Sequence, residues 1–404
     1  MDKGNSIVAH WQGDFDEELI AGWVKTMREK LQGNVSLGLV FVTPKFFNDA
    51  EKLLEIIRIY GRTPVLAGCS STGLISNGNE IEDDDGFVVG LYHLPGAIVK
   101  GFFISNEDVY SAQNSDFWYQ KLGLQCDESN GWLAFSDPFQ FDSESWLQQW
   151  NLTFKNSPIT GGIAGGIIKE KETQLYLDGE VLNGGCVAVS ISGDVELKVV
   201  VSQGAKPIGE SWTITKANQN IIFEIANMPA FDILVETFSK FPYKEQKKVI
   251  QNLLIGLAVN EYREEFKCGD FIIRNLLGGD PKTGILAIGG RPRTGQSIQF
   301  QQRDPVVATQ EIEELLWEFK QSIQKVENYG GCLFCCTGRG SSMFNEPCHD
   351  AKRVQKILGA MPVSGAFCNG EFGPVQNINC LHGYSASIAL FTKKQSKVAD
   401  YNSQ

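Results

Sequence analysis

A chain of 404 residues exceeds one typical domain, and its 42% hydrophobic and 21% charged residues are ordinary for a protein with a real core. Its formal net charge of −12 argues against nucleic acid or anionic lipid as the main partner, since either needs a basic face. No run of about 18 apolar residues could span a bilayer, and Met1-Asp2-Lys3-Gly4 lacks the basic-then-apolar opening of a signal peptide. Ten cysteines without a small-domain framework read as free thiols in a reducing compartment, so the expected location is cytoplasmic.

In chain order, an apolar strand at Leu37–Val42 runs into Thr43-Pro44. An amphipathic helix follows, with Phe46, Phe47, Ala50, Leu53, Leu54 and Ile57 at helical spacing, and it ends at Gly61 before Thr63-Pro64-Val65-Leu66-Ala67-Gly68. The same order returns at Trp132–Phe135, Asp137-Pro138, a helix carrying Trp146, Leu147 and Trp150, and Ser157-Pro158-Ile159-Thr160-Gly161-Gly162. Pro44 to Pro64 and Pro138 to Pro158 are both 20 residues. A third copy starts at Gly331–Cys336, continues through a helix with Ala351, Val354, Ile357 and Leu358, and closes at Met361-Pro362-Val363-Ser364-Gly365. Each copy goes on through a polar hairpin to a glycine-led strand, at Gly86, Gly185 and Gly383. Gly86 and Gly383 each stand 18 residues after Gly68 and Gly365.

Between the second and third copies the pattern differs. Val199–Val201 and Trp212–Thr215 read as strands, Pro229 opens a helix with Ala230, Leu234 and Phe238 on one face, and Lys244–Val259 reads as a second helix. Phe271–Ile273 and Ile285–Ile288 flank an Asp280-Pro281-Lys282-Thr283-Gly284 turn. Asp304-Pro305 starts a long helix whose buried face carries Ile312, Leu315, Leu316, Phe319 and Ile323. The expected fold is therefore α/β (α+β): repeated strand–helix–strand units forming mixed sheets packed with helices, in two lobes. Residues 1–215 would hold two units and residues 216–404 the third.

Ser202–Gly209, Trp212–Thr215, Asn220–Glu224, Pro229-Ala230, Arg274–Gly278, Thr337–Gly340 and Asn369–Pro374, in this order, resemble the FIST family, named for F-box and intracellular signal transduction proteins. Gly68–Gly73 and Gly161–Gly166 look like the two glycine motifs of that family's first domain. The resemblance spans roughly residues 30 to 392. It implies a non-enzymatic sensory module that binds a small molecule, such as an amino acid or related metabolite, and signals through a protein partner. With no room for an F-box before the first unit and no output domain after the third, the expectation is a stand-alone module. Some bacterial members of the family are haem-linked nitric-oxide sensors, so haem is the alternative cofactor to none. An interaction scaffold without a small ligand is the other rival.

The candidate ligand contacts are Gly338, Arg339, Gly340 and Ser341, then Asn369 and Glu371, then Ser70 and Thr72. Glycines in Thr337–Ser342 would let backbone N–H groups turn toward an anion, and Arg339 could clamp a carboxylate or phosphate; the alternative is a turn in which it pairs with Glu346 or Asp350. Glu371 could fix an ammonium group, or Asn369-Gly370 could simply make a tight turn. Asp350 reads as a first-turn carboxylate complementing a helix dipole, and His382 as the start of the last strand. Any of His10, His93, His349 and His382 would serve as an axial ligand should haem bind. Cys332 and Cys335 lie on one strand and project to opposite faces, so no metal is expected there. The acidic run Glu80–Asp85 reads as a solvated hairpin tip, and no phosphate-binding loop or nucleophile elbow is present.

Overall fold

The alternation of strands and helices folds into four sheets over the residues that the computed structural model describes, 4–261, 266 and 269–395. Met1 to Lys3, on which the reading of the chain opening partly rests, lie outside them. Three sheets share one plan. In the first, Leu37–Val42 and Leu66–Ser70 run parallel, joined through the helix Ala50–Gly61. Phe87–Tyr92 lies antiparallel beside Leu37–Val42, and Ser6–Trp11 forms the edge. The second sheet repeats this with Gly131–Ser136 and Ile159–Ile163 around the helix Ser143–Thr153, flanked by Cys186–Gly193 and then Ala97–Ile104. The third pairs Asn328–Cys336 with Val363–Cys368 around the helix His349–Leu358, flanked by Ala386–Lys393 and then Val195–Ser202. A parallel pair cannot be joined by a tight turn, so a crossover helix recurs in each.

Register shows which residues correspond. Val40 faces Gly68, Ala134 faces Gly161 and Leu333 faces Gly365. A Cβ at any of these glycines would fall on the partner's carbonyl oxygen, which is why the residue recurs there. One position on, Phe41, Phe135 and Phe334 meet edge to face, with ring centroids 5.6, 5.6 and 5.7 Å apart. They mark the point where the three sheets face one another, in a shared core with Leu39, Leu133 and Cys332. The alternate residues face outward onto each unit's own helices: Val40 and Val42, Trp132 and Ala134, Leu333 and Cys335. Cys332 and Cys335 thus lie on opposite faces. The nine cysteines among the described residues are all free thiols.

The polar hairpin of each unit does not join its own sheet. Leu74–Ser76 with Asn79–Ile81 extends the third sheet by pairing with Val363–Cys368. Leu175–Leu177 with Glu180–Leu182 extends the first at Leu66–Ser70, and Glu371–Val375 with Ile378–His382 extends the second at Ile159–Ile163. The exchange is cyclic: first to third, third to second, second to first. His382 accordingly ends a hairpin strand, whereas the last strand begins at Ala386.

The fourth sheet is antiparallel, built from Ala205–Asn218, Ser297–Arg303, Leu253–Ala258, Phe271–Asp280, Ile285–Ile288, Ile221–Ile225 and Met228–Pro229. Residue 215 lies inside its first strand. Ile214, Ile255, Leu286 and Phe300 form its core against the helices Ala230–Ser239 and Tyr243–Gln251. The stretch expected as one helix at Lys244–Val259 is in fact this second helix followed by a fully buried strand, Leu253–Ala258. A short continuous apolar run carries no periodicity that separates buried strand from buried helix. Asp304 caps Pro305–Ser322 by accepting from the Val306 and Val307 amides at 2.9 and 3.2 Å, and Ile312, Leu316 and Phe319 pack it on the third sheet. No helix among the described residues is long and apolar enough to cross a membrane.

Candidate functional site

The loops that close the three parallel pairs interlock at one end of the shared core. The Gly165 amide donates to the Ser70 carbonyl at 3.0 Å, the Asn369 amide to the Ile163 carbonyl at 3.0 Å, and the Phe367 amide to the Gly73 carbonyl at 2.9 Å. Ser70 is wholly buried there, its Oγ donating to the Gly165 carbonyl at 2.6 Å and accepting from the Gln174 amide at 2.9 Å. Asn369 donates through Nδ2 to the Ala164 carbonyl at 3.0 Å, and Thr72 and Asn369 are exposed. Ser70, Thr72 and Asn369 are therefore brought together, chiefly as a backbone lock between units.

The Thr337–Ser342 loop does turn its groups toward carboxylates, but the carboxylates belong to the chain. The Ser341 amide, just past the left-handed Gly340, donates to Glu82 Oε1 at 2.9 Å. Arg339 is fully buried and grips Asp350 through Nε at 2.6 Å and Nη2 at 3.0 Å, with Nη1 3.2 Å from the Tyr384 carbonyl. Its guanidinium lies 5.2 Å over the Phe344 ring, on which His349 stacks in parallel. Gly338 packs against the Tyr384 ring, where a Cβ would collide. As placed, Arg339 offers no donor pair to an incoming ligand. Asp350 does stand in the first turn of the helix His349–Leu358, and there it is also the buried ion-pair partner of Arg339. Burial opposes its charge, but Arg339 and the His349 hydrogen bond together hold the carboxyl well below the usual range.

His349 completes a chain, with Nδ1 2.8 Å from Asp350 Oδ1 and Nε2 2.8 Å from Thr309 Oγ1. Glu371 lies in the same interior, within reach of Arg339's field. Its Oε2 accepts from Ser385 Oγ at 2.7 Å, Oε1 has no partner, and burial pushes its pKa up to about 8. Glu80 accepts from the Ala351 amide at 2.8 Å; burial, then the charge of Asp350, raises it to about 7. Glu80 and Glu82 thus cap helices of the third unit, and only Asp83, Asp84 and Asp85 of the acidic run form a solvated tip. Glu80, Cys335 and Asp350 could converge on one ion, but the Asp350 oxygens are already held by Arg339. Of the other histidines, His382 is buried with Nε2 3.1 Å from the Gly373 carbonyl, and burial lowers it to about 4. His93 Nδ1 lies 2.7 Å from the Asn34 carbonyl, and His10 is half-buried on the first sheet's edge.

A cleft of about 390 Å³ opens elsewhere, between the second unit and the fourth sheet. Leu147, Leu257, Ile272 and Leu381 give it apolar walls, and Glu144, Arg274, Arg291 and Arg293 supply its charge. Arg274 is largely buried; it pairs with Glu144 at 3.0 Å, donates to the Leu381 carbonyl, and leaves Nε without a partner. Arg291 reaches Asp142 at 3.0 Å and Ser145 Oγ at 3.1 Å while 57% exposed. Arg293 reaches Glu261 at 2.8 Å while 68% exposed. Burial opposes the Asp142 charge, but the Ser145 amide and hydroxyl and Arg291 hold that carboxyl below its ordinary value. The Glu144 and Asp142 pairs both tie the fourth sheet to the helix Ser143–Thr153. None of these residues was singled out as a ligand contact from the sequence, although Arg274 heads one of the stretches that carry the family resemblance. Arg291-Pro292-Arg293 sits in a loop, where charge alone says nothing of a facing wall.

Residues 36–228 match the family profile described as the FIST N domain, and residues 230–374 match the FIST C domain. The matched profiles are of these two domains and include no F-box. "Uncharacterized protein Rv0628c" of Mycobacterium tuberculosis is 32% identical over 365 residues, covering 90% of this chain and 93% of its own. "Uncharacterized protein Mb0898c" of Mycobacterium bovis is 31% identical over 366 residues, covering 90% and 92%. A solved structure described as "Cyanuric acid hydrolase: evolutionary innovation by structural concatenation" aligns at a TM-score of 0.34 with 8% identity, over 96% of this chain and 99% of that one.

Proposed function

The chain belongs to the FIST family, and from that premise we propose that it is a sensory module that binds a small carboxylate-bearing molecule, such as an amino acid or related metabolite, in the arginine-lined cleft between its lobes. The observation that carries the proposal is a cleft of ligand size, about 390 Å³, whose two walls belong to different parts of the fold. Arg291 and Arg293 would meet the carboxylate. Their side chains are 57% and 68% exposed, so an incoming carboxylate can reach them beside their present partners. Glu144 would take an ammonium group, and Leu147, Leu257, Ile272 and Leu381 an aliphatic body. A ligand touching both walls favours the arrangement in which they are closest, and that shift is what a signalling protein partner would sense. The task is binding rather than catalysis, needs no cofactor, and has the cytoplasm as its setting.

The test is thermal denaturation against a panel of amino acids and small carboxylates. A ligand at a hundredfold excess over Kd stabilises the native state by about 2.7 kcal/mol. The double variant Arg291→Ala, Arg293→Ala should lose that shift. A well-folded wild type that responds to no member of the panel, or a double variant that keeps the response, rejects the site. A strong Soret band on the purified protein would favour a haem-linked sensor instead.

A further inference from the structure

One edge of the third sheet is open. Val195–Ser202 pairs with Ala386–Lys393 on one side and with no strand on the other among the described residues. Two bonds at its start fix which way its backbone faces. The Leu197 amide donates to the Asn130 carbonyl at 3.2 Å, and the Val195 carbonyl accepts from Asn130 Nδ2 at 2.8 Å. Asn130 precedes Gly131–Ser136 of the second sheet, off the paired side. In an antiparallel ladder every second residue turns both its amide and its carbonyl away from the neighbour. Val199 and Val201 therefore present theirs to the open edge, while Glu196, Lys198 and Val200 direct theirs to Ala386–Lys393.

A cavity of about 510 Å³ flanks this edge from Glu196 to Val199. Val199, Pro374 and Asn377 also line a neighbouring hollow that reaches Val201, so the groove is continuous. Three lysines line the first stretch against two acids, Asp127 and Glu196, leaving one positive charge in excess in a chain of net charge −12. Lys198 pairs with Glu196 at 3.1 Å. Lys155 and Lys394 have no acidic partner among the described residues, and Lys394 Nζ donates to Asn130 Oδ1 at 2.7 Å. Lysine on an edge strand is commonly a guard against pairing. Here Lys155 and Lys394 belong to other segments and stand beside the edge, and Val199–Val201 beyond them bears no charge.

We infer that this edge takes up an extended segment of a partner protein as an added strand, with acidic side chains at the lysine end and β-branched ones alongside Val199–Val201. The open amides and carbonyls supply the affinity, and the lysines set the register. Residues 197–201 offer about 17 Å of strand. The cavity shares no lining residue with the arginine-lined cleft, so the inference does not rest on that site.

Fluorescence polarisation on the full chain tests it. The probes are labelled heptapeptides with two aspartates at the amino end, at the carboxyl end, or absent, the remainder alternating valine and threonine. An aspartate-bearing peptide should bind saturably, and the aspartate-free one about tenfold more weakly. Methylating one alternate set of its backbone amides should abolish binding, and methylating the other set should leave it unchanged. Val199→Pro deletes an amide that the sheet itself does not use, and should abolish binding with an unchanged circular dichroism spectrum. Lys155→Glu with Lys394→Glu should weaken it about tenfold, whereas Arg291→Ala with Arg293→Ala should not alter it. Absence of saturable binding by any probe overturns the inference. So does equal sensitivity to both methylated sets, or full affinity in the double lysine variant. A dimer of the chain alone that Val199→Pro dissociates would assign the edge to a second copy instead, and overturns it too.

Discussion

Arg339 and Asp350 share two hydrogen bonds, 2.6 and 3.0 Å long, in an interior that exposes neither side chain. Removing one partner leaves the other charge buried and alone, which costs about 3–5 kcal/mol. Arg339→Met and Asp350→Asn should each lower unfolding stability by that order, read from urea midpoints at constant m. The double replacement Arg339→Met, Asp350→Leu should recover most of the loss, because no orphaned charge remains. Equal losses in the single and double variants would show that packing, not charge pairing, sets the cost.

Stability should fall as pH rises from about 6.5 to 8. Glu371 and Glu80 keep their protons in the folded protein to about 8 and about 7, whereas the unfolded chain releases them near 4.3. Their stabilisation is complete below the unfolded value and is lost as pH climbs toward the folded one, by up to about 1.4 kcal/mol per unit for each group. His382 acts in the opposite sense: held down to about 4, it removes stability as pH falls from about 6.5. Between pH 6.5 and 8 the carboxyls therefore act alone among these three. Glu371→Gln should flatten that limb in urea titrations at stepped pH; an unchanged slope would place the proton elsewhere.

Glycine substitutions should split into two classes. At Gly68 and Gly365 a Cβ meets a neighbouring strand's carbonyl, so Ala there should cost about 3 kcal/mol or more. Gly22 lies in the helix Glu17–Glu29 with nothing near its missing Cβ, and Ala should stabilise by about 0.5–1 kcal/mol. Calorimetric Tm values would decide it.

Thiol reactivity should follow burial. Cys126 is exposed, while burial raises Cys69, Cys186, Cys335 and Cys368 well above the ordinary thiol range and Cys332 and Cys336 to about 12. Cys126→Ser should remove one fast-reacting equivalent from a disulfide-reagent time course at pH 8. A fast phase that persists undiminished would contradict the assigned exposure.

Spacing in the chain made the three units legible; at Gly68 and Gly365 the glycine answers to a collision with the neighbouring strand's carbonyl, whereas Gly383 meets nothing and stands ahead of its strand, which begins at Ala386. Helix caps such as Asp304-Pro305 were equally plain, being local. The destinations of the hairpins were not, since a polar hairpin carries the same alternation whichever edge it joins. Arg339 was visible as a residue that needs an anion. Its partner stood 11 residues away at Asp350, and the Ser341 amide's stood at Glu82, so the loop's chemistry was right and its ligand was internal. The cleft between the second unit and the fourth sheet stayed hidden for the reverse reason: Glu144 and Arg274 meet across 130 residues, a pairing no local pattern encodes.

The cyclic hairpin exchange also sets a schedule for the chain leaving the ribosome. The first sheet cannot be completed until residue 182 has emerged, the second until residue 382, and the third until its own strand ends at Lys393. An amino-terminal fragment always carries a hairpin whose docking strand does not yet exist, or a sheet edge still awaiting its cover. Unit-by-unit completion is therefore closed to the first three sheets, whereas the fourth draws all its strands from residues 205–303. The three interleaved sheets can therefore be completed only once residue 393 has emerged.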